Sequence, residues 1–249
     1  MRAGSRAGLA AITGSALAGG FYWVFLSPYC QVLGPHPWRG AGDERVVALT
    51  FDDGPNEPYT SQLAELLRER GVRATFFQVG RCVERSPAST AALAADGHVI
   101  GNHSLSHQML TYFRRGAFAA EIEDTQKILT RILGKEPALV RMPWLWRQPA
   151  LLSMLRTRGM RPVSGVFCHA FEVFQVDAAR IAHRAVAKTR PGAVLIFHDG
   201  YNAGGAARAE TVKAVRMTID ALRVYGYRFV TVDELLRVPA YRSSSLPLD

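Results

Sequence analysis

Cysteine is scarce in this chain, and several signals of specialised proteins are missing. Only three cysteines occur in 249 residues. They are too few and too scattered for a disulfide scaffold, so we expect Cys30, Cys82 and Cys168 to be free, partly buried thiols, with one disulfide bond as the alternative for an exported domain. No internal repeat is visible. Basic and aromatic residues do not alternate as in nucleic-acid-binding surfaces, so DNA and RNA are not expected partners.

Acidic residues are also fewer than basic ones, with 21 Asp and Glu against 30 Lys and Arg, for a net charge of +9. If this excess has a function, it favours an anionic polymer or a membrane surface as neighbour. A coding bias towards arginine explains it equally well. The length and the 48% hydrophobic content suit one globular domain with a sizeable core. We expect a monomer.

Charged residues are absent from residues 7–38. The apolar part of this segment has about the 20 residues that span a bilayer. We therefore expect residues 1–27 to be a signal anchor, with Arg2 and Arg6 inside and the remaining chain outside the cell. A cleaved signal peptide is the alternative, because Ala16-Leu17-Ala18 matches a small-x-small cleavage pattern. A buried N-terminal helix of an intracellular protein is a third possibility.

The rest of the chain divides into three parts. Residues 28–44 are rich in Gly and Pro and predict a linker or a wrap onto the domain. Residues 45–238 form the expected catalytic domain. Residues 239–249 are expected to be a tail, disordered from residue 242.

Short apolar runs alternate with helical patterns in the catalytic domain, which predicts a parallel α/β fold. The predicted strands are 45–50, 74–79, 99–102, 138–141, 160–165, 193–197 and 227–231. The predicted helices are 59–70, 87–96, 117–133, 149–158, 178–188 and 210–224. Because several strand ends have residues suited to one site, we expect a closed or nearly closed barrel.

Two adjacent carboxylates, Asp52 and Asp53, end the first apolar run, which breaks at Gly54-Pro55. The pattern predicts a buried strand with both acids at its C-terminal end. Parallel α/β folds place their chemistry at such ends. The break can re-aim one carboxylate, so that one acid binds a metal and the other accepts a proton. An acidic loop in which Asp53 starts a turn is the alternative.

Two histidines four residues apart, His103 and His107, follow the short apolar run 99–100. This spacing places both imidazoles on one face of a helical turn. Histidine pairs of this kind bind divalent transition metals, with an oxygen ligand completing the set. Together with Asp53 they predict a metal site built from two strand ends. A pair of surface histidines is the alternative for the motif alone.

Two further strand ends have Arg141 and His198. Each alone has a common structural explanation, a surface ion pair for Arg141 and a hydrogen-bonded histidine beside a turn for His198. Four separate strand ends thus contain polar residues suited to catalysis. They are two acids, two histidines, an arginine and another histidine, and together they favour one shared active site.

The order of these motifs resembles that of the NodB-homology polysaccharide deacetylases, carbohydrate esterase family four. The matching motifs are TFDDG at 50–54, HSLSH at 103–107, RMPW at 141–144 and LIFHDG at 195–200. The resemblance spans about residues 45–238. It implies an irregular (β/α)7 barrel and a metal-dependent hydrolase.

The resemblance also implies a role for each matched residue. Asp52 would be the general base, oriented by Arg141, and His198 would be the general acid that protonates the departing amine. The backbone N–H of Trp144, which follows Pro143, would donate to the oxyanion. An acid and a base of this kind predict a bell-shaped pH profile.

The implied metal ligands are Asp53, His103 and His107, for one divalent ion. The ion polarises the amide carbonyl and acidifies the attacking water. Zinc is the ion we expect, and cobalt and nickel suit the same ligands.

The chain departs from the family at a fourth motif, which usually supplies an Asp-Trp pair beside the catalytic histidine. Val173 stands where the Asp is expected, and Phe174 stands at the Trp position. Glu172 is one residue away, and the sequence leaves open whether it replaces the Asp.

The rim of the expected site is bulky. Leu145 stands where the family often has glycine. Trp144 and Trp146 are either stacking platforms for a sugar ring or packing residues, and the sequence does not decide between these roles.

The expected function is removal of acetyl groups from N-acetylated amino sugars of a cell-envelope or related polysaccharide, at or outside the membrane of a bacterial cell. One alternative is a catalytically silent, glycan-binding barrel, because the fourth motif is incomplete. Another is an esterase or amidase for other acyl groups. Peptidoglycan, chitin-like oligomers, poly-N-acetylglucosamine and acetylxylan all suit these residues, since specificity lies in the loops.

Overall fold

The sheet is built around β1 (Val46–Asp52), all seven residues of which are buried. The computed structural model describes residues 15–242. In it, β1 lies parallel to β2 (Thr75–Gln78) on one side and to β8 (Val194–His198) on the other. A strand covered on both faces needs apolar residues on both, which explains the nearly continuous apolar run in the sequence.

Side chains of β1 alternate between the outer layer and the barrel interior. Phe51 packs outward with the leucines of the first helix and stacks on Phe76, with 4.8 Å between ring centroids. Ala48, Thr50 and Asp52 have the opposite orientation, and the last two contact an arginine inside the barrel. The C-terminal end of β1 therefore places the Asp52 side chain in the barrel interior.

The remaining strands complete an irregular barrel. Across the sheet the order is β6 (Arg161–Pro162), β5 (Leu139–Val140), β3 (Val99–Asn102), β2, β1, β8 and β7 (Val166–Phe167), while β9 (Arg228–Phe229) pairs with the start of β1. The edge strands β6 and β7 follow each other in the chain and pair with β5 and β8, so this interrupted strand closes the ring. Because β6 and β7 are two parts of one interrupted strand, the eight strands of the sheet correspond to seven. This confirms the (β/α)7 barrel.

The interruption between β6 and β7 has a steric cause. The sequence predicts one strand at 160–165, whereas the structure has two short segments on either side of residues 163–165. Pro162 has no N–H for a strand ladder. A Cβ added to Gly165 would lie only 2.9 Å from the carbonyl oxygen of Val194, so the chain can pass β8 here only with glycine.

Helices pack around the strands, and six of them match the predicted segments to within one residue at each end. Within residues 46–242 the α-helices are α1 (Tyr59–Glu69), α2 (Gly80–Arg85), α3 (Pro87–Ala95), α4 (Ala117–Leu133), α5 (Pro149–Thr157), α6 (Ala178–Lys188), α7 (Ala209–Val224) and α8 (Val232–Leu236). The sequence did not predict α2 and α8, which have six and five residues. Helices this short do not show a helical period.

The C-terminal end of the described chain is ordered further than expected. Tyr241 and Arg242 form β10, which pairs antiparallel with β4 (Glu136–Pro137). The hydroxyl of Tyr241 accepts a hydrogen bond of 3.1 Å from the Ile100 N–H. These two residues, predicted to lie in a tail, thus belong to the folded domain. Residues 243–249 of that predicted tail lie outside the described residues.

The N-terminal part of the described chain packs closely on the barrel. Residues 15–25 are helical, and Phe25 stacks on Trp146 with 5.8 Å between ring centroids. Arg147 is 1% exposed and donates hydrogen bonds of 2.9 Å to the carbonyls of Val24 and Cys30. The free carbonyls at the end of a helix are the negative end of its dipole, so they compensate this buried cation without a carboxylate.

Residues 28–44 continue along the barrel. Ser164 donates its N–H to the Pro37 carbonyl at 2.8 Å, and Val194 donates to the Trp38 carbonyl at 3.1 Å. The segment thus contributes backbone hydrogen bonds to the strands that close the barrel.

The predicted membrane segment 1–27 is only partly described. Residues 1–14 of it lie outside the described residues. Within residues 15–242, no helix has both the length and the hydropathy needed to cross a bilayer.

The three cysteines are free and buried, as expected from their spacing. Cys82 lies beside the segment that follows β1 and donates its S–H to the Asp53 carbonyl at 3.4 Å. Burial raises the pKa of the Cys82 thiol to about 11, so it is a neutral hydrogen-bond donor at physiological pH.

Candidate active site

Asp52 forms a buried ion pair with Arg141, which follows β5. One guanidinium nitrogen donates to Asp52 Oδ1 and to Thr50 Oγ1, each at 2.7 Å. The other terminal nitrogen donates to the Ser164 carbonyl at 2.9 Å, and the guanidinium carbon lies 4.2 Å from the centre of the Phe77 ring. Arg141 is fully buried. The carboxylate of Asp52 is therefore held in one position beside a fixed positive charge.

Asp53 turns away from its neighbour because its backbone is in the left-handed region, with φ at 74°. This conformation is rare outside glycine. The loop after β8 also passes close by, since a Cβ on Gly200 would lie 2.2 Å from the Asp53 carbonyl oxygen. The re-aiming of one carboxylate predicted from the break at Gly54 thus takes place at Asp53 itself.

His103 and His107 lie on a loop, so the predicted helical turn is wrong. Ser104 and His107 have φ values of 66° and 54°, which end any right-handed turn. The loop is fastened by Glu121 of α4, whose carboxylate accepts hydrogen bonds of 2.7 Å and 2.6 Å from the N–H and hydroxyl of Ser106. The two imidazole centroids are nevertheless only 5.0 Å apart.

Asp53, His103 and His107 form a buried cluster that fits a metal ion. One ligand atom of each lies within 4.8 Å of the others. Asp53 Oδ1 is 3.3 Å and 3.1 Å from the Nε2 atoms of His103 and His107. No hydrogen bond reaches this oxygen within the described residues, although it is buried. A shared cation would satisfy these converging lone pairs.

The protonation of the cluster supports the same conclusion. His103 Nδ1 lies 2.7 Å from the Arg141 carbonyl. It must donate there, which leaves the lone pair of Nε2 free for a metal. Burial lowers the pKa of His107 to about 4, against the opposing pull of Asp53. Burial raises the pKa of Asp53, but the nearby histidines lower it by more, so the net pKa lies well below its usual value.

His198 ends β8 directly beside Asp52, to which it is paired in register. Its Nδ1 lies 2.7 Å from Glu172 Oε2, and the other Glu172 oxygen accepts from the Thr211 hydroxyl. Burial lowers the pKa of His198, but the charge and hydrogen bond of Glu172 raise it by more, to about 9. The carboxylate missing from the fourth motif is thus supplied by Glu172.

Arg208 holds the turn that positions Glu172. This buried arginine donates to the Val173 carbonyl at 2.7 Å and to the Gly200 carbonyl at 2.8 Å. It thereby ties the turn Glu172–Phe174 to the loop that follows His198. Sequence reasoning missed Arg208 because nothing in its local sequence distinguishes it from the other arginines.

One cavity, about 280 Å³ in volume, is lined by the two acids, by His103, His107 and His198, by His169 and by an apolar wall; we call it the catalytic cavity. Trp144 lines it, with its ring centroid 4.3 Å from that of His107. Trp146 instead packs in the core against the N-terminal helix, so only Trp144 is placed to contact a sugar. Leu145 and the exposed Phe174 also line the cavity, which gives the bulky rim expected from the sequence.

Pro143 is buried behind this wall, and its carbonyl accepts a hydrogen bond of 3.1 Å from the Tyr112 hydroxyl. The seven other predicted site residues meet at or beside the cavity. Asn202 was not predicted. Its N–H donates to Asp53 Oδ2 at 3.1 Å, and a backbone donor in an irregular loop leaves no sequence signal.

A family model described as polysaccharide deacetylase matches residues 39–163. The chain belongs to the polysaccharide deacetylase family. As a member, it is a hydrolase that acts on carbon–nitrogen bonds other than peptide bonds.

Relatives of this deacetylase-family chain are named for different substrates. It is 32% identical over 201 residues to a peptidoglycan-N-acetylglucosamine deacetylase of Bacillus cereus, covering 80% of this chain and 92% of the relative. It is also 32% identical over 194 residues to a chitooligosaccharide deacetylase of Azorhizobium caulinodans, covering 74% and 91%. The crystal structure of a peptidoglycan N-acetylglucosamine deacetylase superposes with a TM-score of 0.77 at 29% identity, covering 82% of this chain and 94% of that one. Equal identity to two named activities does not select a glycan.

Proposed function

We propose that this chain is a metal-dependent deacetylase of N-acetylated amino sugars in a cell-envelope glycan. The observation that carries the proposal is the pairing of Asp52 with His198 across β1 and β8, beside the buried cluster of Asp53, His103 and His107. A candidate base and a candidate acid thus flank a candidate metal site in one cavity.

A divalent ion held by Asp53, His103 and His107 supplies a Lewis acid for the amide carbonyl and acidifies the attacking water. Zinc is our proposal for its identity, because two imidazoles and one carboxylate with an open position suit a catalytic zinc site. Cobalt and nickel suit the same ligands.

Asp52 accepts a proton from the attacking water. Arg141 orients its carboxylate through the buried ion pair. The backbone N–H of Trp144 donates to the oxyanion that forms on the acetyl carbonyl, which preorganised donors stabilise most strongly when water is excluded.

His198 protonates the departing amine. The Nδ1 atom of His198 is hydrogen-bonded to Glu172. The proton available to the leaving group is therefore the one on Nε2 of His198. The high pKa of His198, about 9, keeps the ring cationic at neutral pH. Protonation avoids an unstable amide anion as leaving group.

The catalytically silent alternative loses its motivation, because the carboxylate that the fourth motif lacks is provided by Glu172. We further propose that the enzyme works in the bacterial envelope, attached to the membrane through its N-terminal segment or released after cleavage. The support for this is the apolar segment 7–26 preceded by two arginines.

The test is acetate release by the purified full-length chain from N-acetylated and O-acetylated oligosaccharides, before and after removal of metal with a chelator. We expect release from the N-acetylated substrate, loss on chelation and recovery with Zn²⁺ or Co²⁺. The Asp53→Asn variant should bind less metal. Faster release from O-acetylated substrate would favour the esterase, and undiminished release from the metal-free protein would overturn the proposal.

A further inference from the structure

The catalytic cavity continues into a neighbouring groove of about 510 Å³. His107, Trp144 and Asn202 line both the cavity and the groove. A polymer with its acetylated sugar at the candidate metal site therefore places adjacent groups in this groove.

The groove is basic. Among the described residues that line it, none is Asp or Glu, whereas Arg81 and Arg85 of α2 both contribute to its wall. The side chain of Arg85 is held in place by hydrogen bonds to the Ala203 carbonyl at 2.6 Å and to Cys82 Sγ at 3.1 Å.

Arg81 differs from Arg85 because its guanidinium is not engaged. The residue is exposed, and no carboxylate within residues 15–242 forms an ion pair with it. Its backbone is fixed by a hydrogen bond of 3.0 Å from its N–H to the Leu105 carbonyl, in the loop between His103 and His107. The backbone of Arg81 is thus fixed beside the cavity, and its guanidinium has no partner within the described residues.

We propose that this groove binds a carboxylate of the glycan and that Arg81 selects carboxylate-bearing peptidoglycan over neutral chitin-like polymers. The inference rests on the proposed deacetylase function and names its substrate class. In peptidoglycan, the muramic acid next to N-acetylglucosamine has a lactyl group whose carboxyl is either a free carboxylate or is amide-linked to a stem peptide with carboxylates of its own, whereas chitin has none. The planar fork of arginine matches a carboxylate with two parallel hydrogen bonds.

The expected effect is modest and falls on binding. An exposed ion pair of this kind changes affinity by about two- to fivefold. The contact lies away from the reacting atoms and is equal in ground and transition state, so it lowers KM and leaves kcat unchanged. Salt should weaken it.

The test uses the full-length, metal-loaded chain and three substrates. These are a soluble peptidoglycan oligosaccharide, the same oligosaccharide with methyl-esterified carboxylates, and a chitin oligomer of equal length. We expect Arg81→Gln to raise KM about two- to fivefold on the first substrate only, at low salt. Arg180→Gln, which removes another exposed arginine, on α6 and outside the groove, should change no KM.

Equal KM changes on the free and esterified oligosaccharides, or no change on either, would overturn the groove assignment while leaving the deacetylase function intact. Calorimetric titration with the same oligosaccharides gives a second measure that does not need turnover. If no acetate is released but Arg81→Gln still removes the preference for the free carboxylate, the groove assignment stands and the proposed function fails. If the calorimetry also shows no preference, both fail.

Discussion

Glu172 shows how a carboxylate can reach a partner from a neighbouring position in the chain. The family pattern places an acid at position 173, where this chain has valine. Glu172 lies in a short 3₁₀ turn and has one methylene more than aspartate. It is buried and contacts His198, while Val173 lines the cavity. The sequence could identify both candidates but not choose between them, because the choice depends on the direction of a turn.

Replacing Glu172 by glutamine should make the enzyme more sensitive to alkaline pH. His198 works in its protonated form, which is present below its pKa and lost as pH rises through it. Glu172 raises that pKa to about 9, so removing the charge moves the alkaline limb towards the ordinary value of about 6.5. We expect the loss of kcat at pH 8 to exceed the loss at pH 6 by about tenfold.

A pH profile of kcat from pH 5 to pH 10 measures this shift. Glu65→Gln is the matched control, because Glu65 is an exposed residue of α1 whose ion pair within residues 15–242 is with Arg68 alone. An unchanged alkaline limb in Glu172→Gln would show that another group sets the protonation of the leaving amine.

At the scale of elements, the N-terminal segment is structurally part of the catalytic domain. The sequence placed the domain start at residue 45 because a Gly- and Pro-rich segment precedes it and the first predicted strand and the family resemblance begin there. The structure adds residues 21–40, whose contacts with Trp146 and Arg147 fasten the loop that contains Trp144. A domain boundary drawn from composition cannot reveal a helix end capped by an arginine more than a hundred residues away.

Deleting residues 1–38 should therefore destabilise the barrel. The deletion exposes Trp146 and leaves the N–H groups of buried Arg147 without their carbonyl acceptors. Unsatisfied buried donors lower the free energy of unfolding. We expect the melting temperature to fall by roughly 5–10 °C, measured by thermal unfolding, with a matching loss of acetate release.

Two variants sharpen this experiment. Deletion of residues 1–14 alone removes none of the described contacts and should leave the melting temperature unchanged. Arg147→Met in the shortened chain removes the orphaned donors and should recover part of the loss. Equal melting temperatures for the full chain and the chain starting at residue 39 would show that the segment is not structural.

The steric cause of the interrupted strand leads to a separate prediction for Gly165. Gly165→Ala brings a Cβ within 2.9 Å of the Val194 carbonyl and 2.7 Å of Ile196 Cγ1. Such overpacking should lower the free energy of unfolding by about 1–3 kcal/mol, measured by urea denaturation. Gly205→Ala is the control, because its new Cβ would approach no atom closer than 3.7 Å. Equal stability of both variants would contradict the steric account of the barrel closure.

For the whole molecule, the sequence predicted the fold well because parallel strands and amphipathic helices leave strong local patterns. The strand ends at Asp52, His103, Arg141 and His198 could be recognised one by one, and a barrel brings such ends together. The two-residue strands β4, β7 and β10 and the short helices α2 and α8 were not predicted, since such short elements depend on the segments they pack against more than on their own residues.

The details that give the site its shape are also set by distant contacts. The left-handed backbone at Asp53, the loop fold of 103–107 and the bonds of Arg208 all depend on chain segments that meet only in the barrel. The expectation of a helical turn at His103 and His107 failed for this reason, although the cluster of ligands that it predicted is present.

The central claim of this account is that Asp52 is the base beside a metal held by its neighbour Asp53. The most direct measurement is kcat for acetate release by Asp52→Asn together with the metal content per chain. We predict unchanged metal content, a folded protein by thermal unfolding, and a fall in kcat of about 10²–10⁴-fold. A variant that retains kcat within about tenfold of the parent, or one that loses its metal, would contradict the separation of roles between these two adjacent carboxylates.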